Sequence, residues 1–213
     1  MRRFVATSAA SLQNAQIYRL MTGFVVPRPI ALVSTLSASN VPNLAPFSFF
    51  NVLSMEPPTI GISVGLRGGH ARKDTLINVE ATSEFVVNVV SMGIAEQANT
   101  ASLDWTPDVD EFDASRLTPI YENLIVKAPR VAESPVHLEC RLTRLIDFGD
   151  YTFVVGEVVA FHYRNDVCDD RLYIDHDRLA AVGRLAGFNY CSTADRFALQ
   201  RSADSPDRRR PSK

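Results

Sequence analysis

Apolar and polar residues alternate most regularly along two arms in the C-terminal half of the chain. Val136, Leu138, Cys140, Leu142 and Ile146 interleave with His137, Glu139, Arg141, Thr143 and Asp147. After Gly149-Asp150 the chain returns through Tyr151, Phe153, Val155, Val159 and Phe161. Period-two alternation on both sides of a Gly-Asp turn predicts a long antiparallel hairpin. Upstream, apolar runs predict strands over 29–36, 43–51 and 58–65, the last beginning where Pro57-Pro58 forbids a helix. Glu84 to Val90 is dense in β-branched residues and predicts a buried strand. Helical spacing is confined to short segments. Ser11 to Met21 is one, with Gly23 as its stop. Lys73 to Ala81 is another, with Leu76, Ile77 and Val79 near one face, and Gly93 to Leu103 is a third. Asp104 to Pro119, acidic and Pro-containing, reads as a surface excursion.

Six or so mostly antiparallel strands with short helices between them favour a closed or half-open barrel over a doubly wound sheet. No Gly-x-Gly-x-x-Gly follows a strand and no Walker-type Lys-Ser/Thr loop occurs, which argues against a Rossmann or P-loop domain. The expected organisation is a helical segment over 1–24, a β-barrel domain over 25–201, and a disordered basic tail over 202–213 containing Arg208-Arg209-Arg210.

Composition narrows the class further. A chain of 213 residues with 46% hydrophobic content can bury one sizeable core. A net charge of −2 gives no global case for nucleic acid or an acidic membrane surface. Cys140, Cys168 and Cys191 are widely spaced and odd in number, which fits neither a zinc knuckle nor a disulfide framework. The four histidines are scattered, so no metal site is expected. The first ten residues lack a secretory apolar region, and no stretch approaches the roughly 18–20 apolar residues of a spanning helix. The expectation is a soluble, cytoplasmic protein.

Charge is distributed unevenly. Through Lys73 the chain carries seven Lys/Arg against the single acid Glu56, whereas Asp74 to Asp113 holds nine acids and no Lys or Arg. The basic first third also contains two apolar runs, Pro27 to Thr35 and Asn43 to Asn51, interrupted by the small hydroxyls Ser34, Thr35 and Ser48. Such residues let a flat polar ligand approach the backbone, and the charge bias suits an anion such as a phosphate. The alternative is a pair of buried strands with an accidental bias.

These segments, taken in order, resemble the flavin reductase-like family with the FMN-binding split-barrel fold, in the branch of flavoredoxins and reductase components of two-component monooxygenases. The resemblance spans roughly residues 15–200. It is carried by Pro27-Arg28-Pro29-Ile30-Ala31-Leu32-Val33-Ser34-Thr35, Asn43 to Asn51, Pro57-Pro58, Lys73-Asp74-Thr75 and Phe85-Val86-Val87-Asn88. Glu133 to Cys140, Gly156-Glu157-Val158-Val159, Gly183-Arg184-Leu185 and Tyr190 complete it. The resemblance implies a mainly β, Greek-key-like antiparallel barrel, an FMN cofactor, NADH or NADPH as reductant, and a homodimer with flavin near the subunit boundary.

It also implies roles for particular residues. The isoalloxazine edge would meet backbone groups at Ser48, Phe49, Phe50 and Asn51, with Arg28, Pro29, Ile30, Ala31, Leu32 and Val33 lining the other side. Lys73, Asp74 and Thr75 would meet the phosphate at a helix start, where free N–H groups, the dipole, an ammonium and a hydroxyl favour an anion. Asp74, whose charge would repel a phosphate, reads as the helix N-cap rather than as a direct phosphate ligand, and Arg28 either as a phosphate ligand or as a strand-positioning residue. Wider members carry Gly-Asp-His at the hairpin, whereas this chain has Gly149-Asp150-Tyr151. Tyrosine does not titrate near neutral pH, so no histidine role carries over to Tyr151. His176 and Tyr190 are alternative pocket residues, both reading as structural rather than catalytic. No catalytic triad is expected, because flavin carries the chemistry. Three activities compete: an NAD(P)H-dependent flavin reductase serving a partner monooxygenase, a flavoredoxin-type electron carrier, and an FMN enzyme acting on a bound organic substrate.

Overall fold

The computed structural model describes residues 3–106 and 109–199. The expected basic tail over 202–213 lies outside the described residues. Helix α1 (Asn14–Phe24) follows a short 3-10 turn at Ala9–Ser11. It is followed by strands β1 (Arg28–Pro29), β2 (Ala31–Leu36), β3 (Pro42–Phe47), β4 (Phe50–Met55) and β5 (Pro58–Gly65). Then come α2 (Asp74–Thr82), β6 (Glu84–Val89), α3 (Ala95–Thr100) and α4 (Glu111–Ser115). The small strands β7 (Pro119–Ile120) and β8 (Arg130–Val131) precede the hairpin β9 (Val136–Asp147) and β10 (Tyr151–Tyr163). Helix α5 (His176–Leu179) and strands β11 (Val182–Arg184) and β12 (Tyr190–Ser192) close the described chain.

Seven strands form one sheet in the order β3-β2-β6-β9-β10-β5-β4, every neighbouring pair antiparallel. The two edge strands, β3 and β4, are consecutive in the chain and separated only by Ser48 and Phe49. Three peptide steps reach at most about 11 Å. The sheet therefore has to curl until its edges nearly meet, leaving a barrel split along one seam. Side chains from both sides of that seam share one interior: Phe47, Ile62, Ala31, Val33, Phe85, Val87, Cys140 and Val154 pack in a single cluster with Leu76 and Val79 of α2. This is the mainly β split barrel that the resemblance implies.

The strand expected over 43–51 is thus two strands with a corner at Ser48-Phe49, and the one over 29–36 is broken at Ile30, where β1 leaves to pair with β11. Helix α1 starts three residues later than expected, because Gln13 and Gln16 form a reciprocal cap. It runs through Gly23 and stops before Val26-Pro27, where proline disfavours a helical residue ahead of it. On α2, Leu76 and Val79 are buried while Ile77 is exposed.

The segment over 104–119 is more than a surface excursion. Its α4 inserts Phe112, 1% exposed, together with Leu117 into a second core against Leu32, Leu44, Ile94 and Val131. Strand β2 is buried along both faces for this reason, with Ala31 and Val33 inward and Leu32 outward. The polar face of β9 is buried at His137 and Glu139 and exposed at Arg141, Thr143 and Asp147. Glu139 is 0% exposed and accepts the backbone N–H groups of Leu124, Ile125 and Val126. A buried carboxylate persists only when hydrogen-bonded in this way.

Candidate functional site

A cavity of about 840 Å³ opens beside the corner that joins the two sheet edges. Helix α1 forms one wall through Asn14, Ile17, Tyr18 and Met21; the corner supplies Ser48, Phe49, Phe50 and Asn51. The floor comes from Gly61 and Ser63 of β5 and Tyr151 and Phe153 of β10. Strand alternation explains the floor. Ile60, Ile62 and Val64 point into the barrel, so Gly61, Ser63 and Gly65 take the outer face. A Cβ on Gly65 would lie 2.8 Å from Tyr151 Cε1, and one on Gly61 would lie 2.7 Å from Phe153 Cε2. Without those carbons, both rings pack directly against the β5 backbone. Tyr151 in turn stacks on Phe49, with centroids 5.5 Å apart. Strand β4 is a sheet edge bonded only to β5, so its outward peptide groups offer the donors and acceptors that a flat heterocycle needs.

Arg28 stands at the back of this cavity, 7% exposed. Its guanidinium donates to the carbonyls of Thr22 (2.6 Å), Val25 (2.9 Å) and Leu185 (3.2 Å) and to Ser48 Oγ (3.4 Å). It therefore ties the end of α1, the turn after β11 and the sheet corner together. No carboxylate neutralises it among the described residues. Burial, above all, holds its pKa below the ordinary value.

A second cavity of about 290 Å³ shares Tyr18, Arg28 and Ser48 with the first, and shares Pro46 and Ser102 with a third of about 40 Å³ that ends at Lys73. Through these shared residues the three cavities adjoin one another in a row, a trough of three compartments from Tyr151 to the start of α2. No side chain caps that helix, so its first N–H groups have no partner within it. The Lys73 ammonium lies 5.6 Å from the Phe47 ring, and burial pulls its pKa down against the opposing attraction of Asp104. Asp74 is the first helical residue rather than the N-cap, and its carboxylate takes Arg67 at 2.7 Å. Thr75 is buried, its Oγ1 accepting from Asn43 Nδ2 at 3.0 Å. Glu111 completes the end wall, with its carboxyl pKa raised chiefly by burial.

Of the residues singled out in the sequence, the trough brings together Arg28, Pro29, Ser48, Phe49, Phe50, Asn51, Tyr151, Tyr190, Lys73, Asp74 and Thr75. Ile30 lines the second cavity alone. Ala31, Leu32 and Val33 do not line it, because both faces of β2 are taken by the two cores. Ser34 and Thr35 are likewise buried and bonded inside the protein, Ser34 to the Pro129 carbonyl and Thr35 to Asn43 and Asn78. His176 is exposed at the start of α5 and lines none of the three cavities. Sequence reasoning missed Gly61, Ser63, Phe153 and the α1 wall. The run Ile60-Gly61-Ile62-Ser63-Val64-Gly65, large inside and minute outside, was the available signal.

A flat aromatic floor, an edge strand with open peptide groups and a trough leading to an uncapped helix start suit a planar ring carrying a phosphate tail. A flavin reductase like domain model matches residues 21–183. The structure of 2-nitrobenzoate 2-nitroreductase from Pseudomonas fluorescens covers 96% of this chain with 100% of its own, at 35% identity and a TM-score of 0.86. Nitrilotriacetate monooxygenase component B from Bacillus cereus covers 93% with 100% of its own, at 30% identity and a TM-score of 0.87. An NADH-dependent FAD reductase of Streptomyces globisporus is 32% identical over 149 residues, 68% of this chain and 74% of that protein. With the motif order, the split barrel and these matches in agreement, the chain belongs to the flavin reductase-like family, whose flavin-binding fold it shares.

Proposed function

We propose that this protein is an FMN-dependent oxidoreductase that takes hydride from NADH or NADPH and supplies reduced flavin to a partner monooxygenase. The observation that carries this reading is the trough, whose aromatic floor and phosphate-suited end are linked by an intervening cavity that shares lining residues with both. The ring would lie on Tyr151, Phe153 and the β4 edge, and Lys73 with the α2 N–H groups would hold the phosphate. FMN is favoured over FAD because the Lys73 end is small, about 40 Å³, and closed by Leu103, Asp104 and Glu111. An adenylate extension would meet two carboxylates there.

Bound flavin supplies the hydride-accepting chemistry. The protein's part is to stack the rings, exclude water with α1 and the aromatic floor, and fix their orientation. The titratable groups of the large cavity are Tyr18, Arg28, Asp150 and Tyr151. Hydride transfer requires no acid or base among them, because the bound flavin would accept the hydride itself.

A specific observation favours a second reading. The large cavity exposes mostly apolar wall, with Ile17, Met21, Phe49, Phe50 and Phe153, and has more room than a nicotinamide ring needs. Together with the resemblance to a nitrobenzoate reductase, that space suits direct reduction of an aromatic substrate. Stopped-flow absorbance of flavin-loaded protein separates the readings. Rapid bleaching by NADH or NADPH, followed by turnover with free FMN, supports the reductase. Bleaching whose reoxidation requires a nitroaromatic supports the second reading. If dithionite alone bleaches the flavin, both fall and an electron carrier remains.

A further inference from the structure

The second cavity, between α1, α3 and the turn joining β11 to β12, has a chemistry of its own. Two guanidiniums, Arg28 and Arg184, line it with Ser48, Asn99 and Ser102, and none of its described lining residues is Asp or Glu. Neither arginine forms an ion pair with a carboxylate among the described residues. Arg28 is nine-tenths buried, and its hydrogen bonds go to carbonyls and a hydroxyl, which leave its charge uncompensated. Burial above all lowers its pKa, and the nearby Arg184 charge adds to that. Uncompensated positive charge in a low-dielectric wall favours an incoming anion.

Arg184 is the group positioned to meet that anion. Its guanidinium lies over the Tyr190 ring at 4.4 Å, and Nη2 donates to the Gly187 carbonyl at 2.6 Å. Tyr190 is itself tied to Asn99 Oδ1 at 3.0 Å. The Arg184 Nε and Nη1 donors have no partner among the described residues. Beside them Phe188 is 99% exposed, an apolar ring at the cavity's rim. An anion site next to a bare aromatic is the pairing that a phosphate linked to a purine would use.

We propose that this cavity binds the diphosphate of the nicotinamide dinucleotide, with Arg184 contacting phosphate oxygens and Phe188 stacking on the adenine. The inference rests on the reductase reading above. It assigns the flavin phosphate to Lys73 and the reductant's phosphates to Arg184, at opposite sides of the Pro46 and Ser102 contact between the two cavities. The flavin tail, on its way to Lys73, would pass along the Pro46, Ser48 and Ser102 side of this cavity, which leaves the Arg184, Gly187 and Phe188 side to the diphosphate, with Tyr18 and Arg28 bordering the nicotinamide's way into the large cavity.

The test compares NADH with reduced nicotinamide mononucleotide, which lacks the adenylate, on flavin-loaded wild type, Arg184→Ala, Arg184→Lys and Phe188→Ala. FMN affinity is measured on each by fluorescence titration. Arg184→Ala is expected to raise the NADH KM about tenfold, the scale of one lost charge-assisted hydrogen bond, with kcat little changed. Reduced mononucleotide kinetics and FMN affinity stay near wild type, Arg184→Lys recovers much of the loss, and Phe188→Ala shows a smaller rise with NADH alone. An unchanged NADH KM in Arg184→Ala overturns the proposal. So does a loss of FMN affinity in both folded Arg184 variants, which would assign the cavity to the flavin's own phosphate. If wild type binds FMN but neither NADH nor NADPH bleaches it, the reductase reading fails and this site fails with it.

Discussion

The Tyr151 ring stacks on Phe49 with planes 26° from parallel, joining the start of the long hairpin to the corner between the two sheet edges. Arg28 lies 5.8 Å from the Phe49 ring centroid, so the phenyl ring is within range of both the cation and the phenol at the cavity wall. Burial, first, and then the neighbouring Tyr18 and Asp150 raise the Tyr151 pKa, so the phenol is neutral throughout the physiological range. Tyr151 therefore serves as a surface for stacking. Tyr151→Phe is expected to keep most NAD(P)H oxidation, while Tyr151→Ala raises KM by about 1–2 kcal/mol in binding terms. Steady-state kinetics on both variants check this. A large drop in kcat for Tyr151→Phe would give the hydroxyl a chemical role instead.

Lys73→Ala is expected to weaken FMN by about 1.5–3 kcal/mol while leaving riboflavin, which lacks the phosphate, nearly unaffected. Because Asp104 and Glu111 crowd the same small cavity, Glu111→Gln should tighten FMN modestly by removing a like charge. Fluorescence titration with the two flavins decides it. Equal FMN affinity in wild type and Lys73→Ala would displace the phosphate from this end of the trough.

Gly61→Ala places a methyl 2.7 Å from Phe153 Cε2 and 2.9 Å from Leu53 Cδ1. The Phe153 ring has to leave β5 and enter the cavity. A stability loss of about 1–3 kcal/mol is expected from the overpacking, together with weaker flavin binding. Urea unfolding measures the first and flavin titration the second. Wild-type values in both would contradict the role given to this glycine.

His137 provides a pH dependence. It is buried, its Nε2 bonds the Val131 carbonyl at 2.8 Å, and its Nδ1 has no partner among the described residues. Burial, chiefly, pulls its pKa from 6.5 down to about 4. A depressed folded pKa means that the unfolded chain takes up the proton first. The stability is thus fully present above pH 6.5 and is lost as pH falls toward 4, by up to about 3 kcal/mol from this group. The Glu139 pKa is lowered as well: burial opposes ionisation, but the N–H groups of Leu124, Val126 and Ile125 and the His162 side chain outweigh it. Its contribution is lost in the same direction. Urea unfolding at pH 7 and pH 4.5 should show a smaller difference for His137→Gln than for wild type. An equal difference would assign the acid sensitivity elsewhere.

Assembly is the last expectation. Tyr18, Met21, Phe24 and Val25 of the α1 region are exposed beside the large cavity, and Val52, Leu53 and Met55 are exposed on the β4 edge. An isologous dimer would cover both the apolar surface and the open edge. Light scattering at micromolar concentration should give about twice the 23.6 kDa chain mass. A strictly monomeric flavin-loaded protein would rule it out.

Local pattern alone determined a good part of this molecule. Period-two alternation located β9 and β10, β-branched density located β6, and Pro57-Pro58 located the start of β5, because these signals act within a few residues. The order of motifs also named the family, since each short run keeps its chemistry wherever the chain folds. Burial is different. Whether Leu32 or Glu139 faces water depends on α4 and on the 124–126 loop, which are distant in sequence and arrive only when the sheet curls. The same holds for the site. Gly61 and Gly65 matter because Phe153 and Tyr151, some ninety residues later, come to lie on them. Arg28 becomes an unneutralised cation only once Thr22, Val25 and Leu185 converge around it. Alternation tells which side chains share a face, but the tertiary packing of the other strands and helices decides what that face meets.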